Sequence, residues 1–126
     1  MCDAIGANSV ALFDNIAPEF ASAIGRRGIA ERAKGAAFLG VDAILISGPA
    51  AGVPFAMSDL AAAKDAVPDT AVIANTGVRA ESIGDILAVA DAVIVGTSLK
   101  VDGITWNPVD PARAQRLMEA ARSART

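Results

Sequence analysis

Two short polar segments carry the residue types with which this chain could hold an oxyanion. Residues 75–78 (NTGV) follow one apolar run rich in β-branched residues, and residues 96–98 (GTS) follow another. Glycine lets a backbone approach a ligand with its N–H groups, threonine and serine add hydroxyl donors, and lysine adds a full charge. The sequence therefore predicts a site for inorganic phosphate or a phosphorylated small molecule at seven residues: Asn75, Thr76, Gly77, Gly96, Thr97, Ser98 and Lys100. Taken singly, each segment is also typical of an ordinary turn.

Acid–base chemistry has few candidates in this chain, namely Asp14 and Lys100. We expect Asp14 to close the first strand on the same rim, where a carboxylate could act as a general base or metal ligand. Alternatively, it caps the next turn or pairs with Arg26 or Arg27. The sequence has no histidine or tyrosine and one cysteine, so we predict no metal site and no cofactor. Whether the chain catalyses a reaction stays open.

A long connection, residues 98–109, separates the last strand from the last helix. It holds Asp102, Trp106 and Asn107, and it exceeds the usual length of such connections. The functional interpretation is a lid or substrate-contacting loop. The structural interpretation is a packed loop whose tryptophan covers the end of the sheet. The nearby arginines are expected to be surface charges of helices: Arg79, Arg113 and Arg116.

Composition restricts the partners of the chain. Its 126 residues are enough for one domain, residues 1–126, and its net charge of −3 argues against binding to nucleic acid. The most apolar stretch, residues 36–57, is cut by glycines and prolines, so we expect no integral membrane segment. The first residues are unlike a signal peptide. The single cysteine excludes a disulfide within the chain and favours a reducing compartment, which predicts a cytoplasmic location.

Apolar runs and helix-like segments alternate along the chain. The predicted strands are residues 9–16, 42–48, 71–75 and 91–97. The predicted helices are residues 28–39, 58–67 with Ser58 as N-cap, 79–90, and a last helix that begins at Asp110 and Pro111. Repeated βα units indicate a parallel sheet with right-handed crossovers. The pattern alone fits both an open doubly wound sheet and part of a (βα)8 barrel.

Two of the strand segments echo each other. Residues 41–48 and 90–97 each have an aspartate at the strand entry and small polar residues at the exit. Asp42 and Asp91 are thereby predicted to lie at the amino ends of strands. In barrels that end of the sheet serves stability, so neither residue is assigned a catalytic role.

Three segments resemble the BtpA/SgcQ family. They are the strand at 42–47 with the GPAAG loop after it, the NTGV turn at 75–78, and the long motif VGTSLKVDGITWNPVDP at 95–111. The resemblance covers the chain from about residue 10 onward. Family members are predicted TIM-type barrels about twice this length. The resemblance therefore implies an α/β fold, a parallel (βα)4 half of a TIM-type (βα)8 barrel, equivalent to units five to eight.

The resemblance also implies three functional alternatives. In such barrels the loops after strands seven and eight often bind phosphate, which favours a segment of a metabolic enzyme, or its remnant, that binds a phosphorylated metabolite there. The family name implies instead a non-enzymatic factor in the biogenesis of a membrane complex, photosystem I. The third alternative is a truncated fragment without independent activity. A half-barrel has open sheet edges, so we expect self-association through them.

Overall fold

Residues 2–125 are described by a computed structural model, in which strands and helices alternate. The strands are β1 (Phe13–Ala17), β2 (Ala43–Ser47), β3 (Ala71–Asn75) and β4 (Ala92–Ile94). The helices are α1 (Ile29–Phe38), α2 (Met57–Ala66), α3 (Ile83–Leu87) and α4 (Pro111–Ala124). Short 3₁₀ turns occupy Cys2–Ile5, Thr97–Leu99 and Val101–Gly103.

The four strands form one parallel sheet in the order β1-β2-β3-β4. Each strand lies beside the strand that precedes it, so the crossovers advance in one direction across the sheet. A doubly wound sheet would reverse direction at a switch point. The α/β class and the half-barrel arrangement predicted from the sequence are therefore confirmed.

The helices cover one face of the sheet and leave the other face open. Ile44 and Ile46 of β2 and Val72 of β3 are fully buried in the core with alanines of α1 and α2. Because side chains alternate along a strand, Leu45, Ser47 and their neighbours point to the opposite side. We call that side the inner face, since it corresponds to the interior of a closed barrel.

The two echoing aspartates make the same contacts. The Asp42 N–H donates to the Leu12 carbonyl at 2.8 Å, and the Leu12 N–H donates to Asp42 Oδ2 at 2.7 Å. Asp91 exchanges an equivalent pair of hydrogen bonds with Val72. Each carboxylate thus joins the start of its strand to the preceding strand, so both aspartates lie at the amino ends, as predicted.

Several predicted boundaries need correction. The first strand begins at Phe13 and continues through a bulge to Ala17, so Asp14 does not close it. The third helix is shorter than predicted, because its first residues form a turn that Ser82 closes through hydrogen bonds with the backbone of Arg79.

The N-cap assigned to Ser58 is wrong, because α2 begins one residue earlier and Ala56 occupies the cap position. Phe55 and Leu60 stand at the two positions of a hydrophobic staple, and both are buried in the same core. Burial of these apolar side chains, rather than a capping side chain, fixes the start of the helix. The predicted cap at the last helix is correct, since Asp110 accepts from the N–H groups of Ala112 and Arg113.

Candidate anion-binding site

A cavity of about 560 Å³ lies at the carboxyl ends of β3 and β4. Its walls come from the β3–α3 turn, the connection between β4 and α4, the first turns of α4, and Glu19 beyond β1. All seven residues predicted to bind an anion line it: Asn75, Thr76, Gly77, Gly96, Thr97, Ser98 and Lys100. The parallel sheet brings the two polar segments together because neighbouring strands end at the same edge.

The hydroxyl group of Thr76 is already occupied. It accepts a hydrogen bond from the Gly48 N–H at 2.6 Å and donates to the Val53 carbonyl at 3.0 Å. Thr76 therefore connects the end of β3 to the start and the middle of the loop that follows β2. Its side chain has no proton left to donate to a ligand.

The other two hydroxyl groups also have protein partners. Ser98 Oγ donates to the Val78 carbonyl at 2.7 Å. Thr97 and Thr105 share a hydrogen bond of 3.0 Å between their hydroxyl oxygens, in which either atom can be the donor. Of the three predicted hydroxyl donors, only Thr97 can keep a proton for a ligand.

The two glycines of the site play different roles. Gly77 has a positive φ of 66°, and a Cβ at this position would overlap the backbone of Pro54. Its lack of a side chain is required by the approach of the neighbouring loop. A Cβ on Gly96 would meet no atom within 4 Å, so Gly96 leaves its backbone open to the cavity.

Positive side chains collect around the cavity in a chain whose net charge is −3. Arg79, Lys100, Arg113 and Arg116 all line it. Within residues 2–125, no hydrogen bond or ion pair joins the side chains of Arg79, Lys100 or Arg116 to another residue. Arg113 is shared with Asp110, whose carboxylate lies 3.6 Å from its Nε. Arg113 and Arg116 lie on α4 as expected, and Arg116 is exposed, whereas Arg79 is an exposed residue of the turn before α3.

A polar cluster on the inner face reaches the same cavity. Asn15 Nδ2 and Asn75 Nδ2 donate to Ser47 Oγ at 2.8 and 3.0 Å. The same amide groups donate to the Glu19 carboxylate at 3.4 and 3.2 Å. Strand register explains one of these contacts, since Ser47 pairs with Asn75, whereas Asn15 pairs with Leu45 just before a bulge. Sequence reasoning missed Glu19. The sequence did contain a signal for this cluster, because each of the first three strands places one polar residue on the inner face: Asn15, Ser47 and Asn75.

The remaining candidates are dispersed. Asp14 shares a register position with Ile44, on the opposite face of the sheet from Asn15, and it does not line the cavity. Neither of the salt bridges found in the described chain involves it, so the proposed pairing with Arg26 or Arg27 is absent there.

Among the predicted lid residues only Asp102 lines the cavity, whereas Trp106 is 93% exposed and covers nothing. Asn107 is bound to its own loop, donating to the Val101 carbonyl at 3.0 Å.

In the part of the chain that the structure covers, no group of three or more His, Cys, Asp or Glu side chains is arranged to hold a metal ion. None of the helices formed by residues 2–125 combines the length and the apolar character that crossing a membrane requires.

Comparison with known proteins gives a consistent result. Residues 3–123 match the BtpA family. SgcQ, an sgc region protein of Escherichia coli, is 40% identical over 122 residues, which are 96% of this chain and 46% of SgcQ. An uncharacterized protein of Thermococcus kodakarensis is 38% identical over 67% of this chain and 32% of its own length. The photosystem I biogenesis protein BtpA of Synechocystis is 37% identical over 63% of this chain and 28% of its own length. The chain thus spans less than half the length of these curated relatives, and no solved structure matches significantly.

Proposed function

The chain belongs to the BtpA family, and from that premise and the geometry of the cavity we propose that it binds the phosphate group of a small metabolite at the carboxyl ends of β3 and β4. The observation that carries the proposal is that three cations without an acidic partner among residues 2–125 line one cavity: Arg79, Lys100 and Arg116. In this proposal the half-barrel supplies the phosphate site of a metabolic enzyme.

Charge supports this ligand. The cavity lining carries four cations and three carboxylates, whereas the whole chain has 11 Lys and Arg against 14 Asp and Glu. The local charge is therefore opposite in sign to that of the chain. Charged donors form stronger hydrogen bonds to phosphate than neutral donors do. A phosphate group would satisfy Arg79, Lys100 and Arg116 without displacing any ion pair of the described residues.

The backbone supplies the remaining donors in this proposal. Within the 3₁₀ turn Thr97–Leu99, the turn's own hydrogen bonds are donated by Leu99 and Lys100, to the carbonyls of Gly96 and Thr97. The first N–H groups of a helical turn have no partner within the turn. Because the hydroxyl groups of Thr76 and Ser98 are occupied, the proposed contacts are cationic side chains and backbone N–H groups rather than hydroxyls.

A titration with inorganic phosphate, monitored by two-dimensional ¹H–¹⁵N NMR, tests the proposal. We expect saturable shifts in the N–H signals of residues 77 and 96–98. A Cβ at Gly96 meets no atom within 4 Å, but the φ of −127° and ψ of −83° are unusual for valine, so the spectrum of free Gly96→Val first has to show that the variant is folded. In the folded variant we expect phosphate binding to weaken by about tenfold, or about 1.4 kcal/mol. Gly25→Val is the matched control, since a Cβ there also meets no atom within 4 Å and Gly25 lies outside the cavity. Phosphate binding that is equal in both variants would remove the site.

The name of the Synechocystis relative assigns that protein a role in photosystem I biogenesis. We do not extend this role to the chain, because the aligned part is less than a third of that relative. No feature of the cavity bears on such a role.

The single cysteine of the sequence supports a reducing compartment, and the proposed location is the cytoplasm.

We also propose that the inner face of the sheet is covered by a second copy of the chain. Large apolar side chains on this face stay exposed, with Phe13 at 59% and Ile94 at 43%. β1 and β4 are the edge strands of the sheet formed by residues 2–125, and unpaired edges favour pairing with another chain. Light scattering after size-exclusion chromatography is expected to give a dimer. A dilute monomer that binds no hydrophobic dye would contradict this.

A further inference from the structure

We propose that Glu19 forms a second subsite in the same cavity, which accepts hydrogen bonds from hydroxyl groups of the bound metabolite, so that the ligand is a sugar phosphate or polyol phosphate. This inference rests on the proposed phosphate site, because Glu19 and the cations line one cavity. The volume of about 560 Å³ is in the usual range for a small-molecule site. One ligand of that size can therefore contact both.

The Glu19 carboxylate is held in place by amide groups from two strands. Asn75 Nδ2 donates to Oε1 at 3.2 Å, and Asn15 Nδ2 donates to Oε2 at 3.4 Å. Each carboxylate oxygen thus has its own donor. A side chain fixed before the ligand arrives loses less conformational entropy on binding, which favours a binding role.

The orientation of the Asn15 amide group follows from its hydrogen bond to the backbone. Asn15 Oδ1 accepts a hydrogen bond from the Ala17 N–H at 3.2 Å, and only an oxygen can do so. The amide nitrogen of Asn15 must therefore face Glu19 and Ser47. Ser47, 8% exposed, accepts from both asparagines and keeps the pair aligned.

The carboxylate retains acceptor capacity for a ligand. An ionised carboxylate has about four acceptor positions, and the two asparagines fill only two of them. No salt bridge to Glu19 is formed within residues 2–125, so its charge is not neutralised there. A ligand hydroxyl is a suitable donor for the free positions. A phosphate group would be repelled by Glu19, which directs it to the cations.

The backbone next to Glu19 is strained. Phe20 has a positive φ of 56°, a conformation that bulky residues rarely adopt, and its side chain is 83% exposed. Burial of the ring therefore does not offset the strain. The Phe20 N–H donates to the Pro49 carbonyl at 2.9 Å, which joins the segment carrying Glu19 to the loop after β2. This hydrogen bond fixes the backbone position from which the Glu19 side chain extends.

Calorimetric titration with two probes at equal ionic strength tests the inference. The probes are ribose 5-phosphate, which has hydroxyl groups, and ethyl phosphate, which has none. We expect the Kd of ribose 5-phosphate to be lower than that of ethyl phosphate by about tenfold or more, as for hydrogen bonds to a charged group. In Glu19→Ala that ratio is expected to fall to about one, because the fixed acceptor is lost, and in Glu19→Gln it is expected to fall part of the way, because the amide keeps one neutral acceptor oxygen. Two variants are used so that a folding defect in one does not decide the result.

Glu81→Gln is the matched control. Glu81 lines the same cavity and carries the same charge, but no asparagine clamps it. Removal of the Glu81 charge is expected to change the Kd of both probes by the same factor, so the ratio of the two Kd values should stay as it is in the native chain. A ratio of about one in the native chain, or a ratio that survives in both Glu19 variants, overturns this inference while phosphate binding stands. Failure of both probes and of inorganic phosphate to bind overturns the proposed function together with it.

Discussion

Asp91 and Val72 are joined by two hydrogen bonds that run in opposite directions. The Asp91 N–H donates to the Val72 carbonyl at 2.9 Å, and the Val72 N–H donates to Asp91 Oδ2 at 2.8 Å. The same carboxylate oxygen lies 2.8 Å from Lys64 Nζ on α2. One carboxylate thus ties the start of β4 to β3 and to a helix, which suits a stabilising role at the end of the sheet opposite the cavity.

The stability of the chain is expected to depend on this carboxylate in acid. Burial by itself would raise the pKa of Asp91, but the hydrogen bonds from Lys64 and Val72 and the charge of Lys64 outweigh burial and hold the pKa below its ordinary value of 3.8. A group whose pKa is lower in the folded state adds stability above the ordinary value and loses it as the pH falls through the folded value. We therefore expect Asp91→Asn to be less stable than the native chain near neutral pH, and the difference to disappear as the pH falls below 3.8.

Urea denaturation at a series of pH values measures this difference. Because the side chains of Lys64 and Asp91 are 27% and 41% exposed, the ion pair contributes at most about 1 kcal/mol near pH 7. Asp69→Asn is the control, since Asp69 is an exposed turn residue, and it should leave the midpoint unchanged. A difference between the native chain and Asp91→Asn that persists unchanged at low pH would contradict the assignment.

Thr76 is expected to act through the backbone of the neighbouring loop. Thr76→Val leaves the Gly48 N–H without its acceptor and the Val53 carbonyl without its donor, so we expect the free energy of unfolding to fall by about 1–3 kcal/mol. Thr76→Ser keeps the hydroxyl group and is the matched control, with a smaller expected loss. Urea midpoints measure both. If Thr76→Val retained full stability but lost phosphate binding, the hydroxyl group would be a ligand contact after all.

The fold was accessible from local sequence patterns. The predicted bounds of β3 agree with the structure at both ends, because a short apolar run there is flanked by Thr70 and by Thr76 and Gly77. The cap formed by Asp110 and Pro111 depends only on neighbouring residues, and it was also correct. The echo between residues 41–48 and 90–97 indicated the shared role of the two strand-entry aspartates. Such features involve residues close in sequence, or repeat a local pattern.

The composition of the site wall was less accessible, because it depends on contacts between distant parts of the chain. Glu19 and Asn75 are 56 residues apart, and their contact requires the register of three strands. The hydroxyl groups of Thr76 and Ser98 looked available in the sequence, because their carbonyl partners lie in other segments. Arg79 and Arg116 were interpreted as surface charges since helical spacing does not reveal that a cavity adjoins them.

Phosphate is expected to stabilise the chain through Lys100. A ligand that binds only the folded state adds about 2.7 kcal/mol to the free energy of unfolding at a concentration 100 times its Kd, and Tm rises accordingly. Lys100→Met keeps an apolar stem of similar length but removes the charge, so we expect most of the phosphate-dependent rise in Tm to be lost. Lys34→Met is the control, because Lys34 is exposed on α1 and lies outside the cavity, and it should keep the full rise. Thermal unfolding with phosphate and with sodium chloride at equal ionic strength separates binding from screening: an equal rise in both salts, or an undiminished rise in Lys100→Met, would show that Lys100 does not hold the anion.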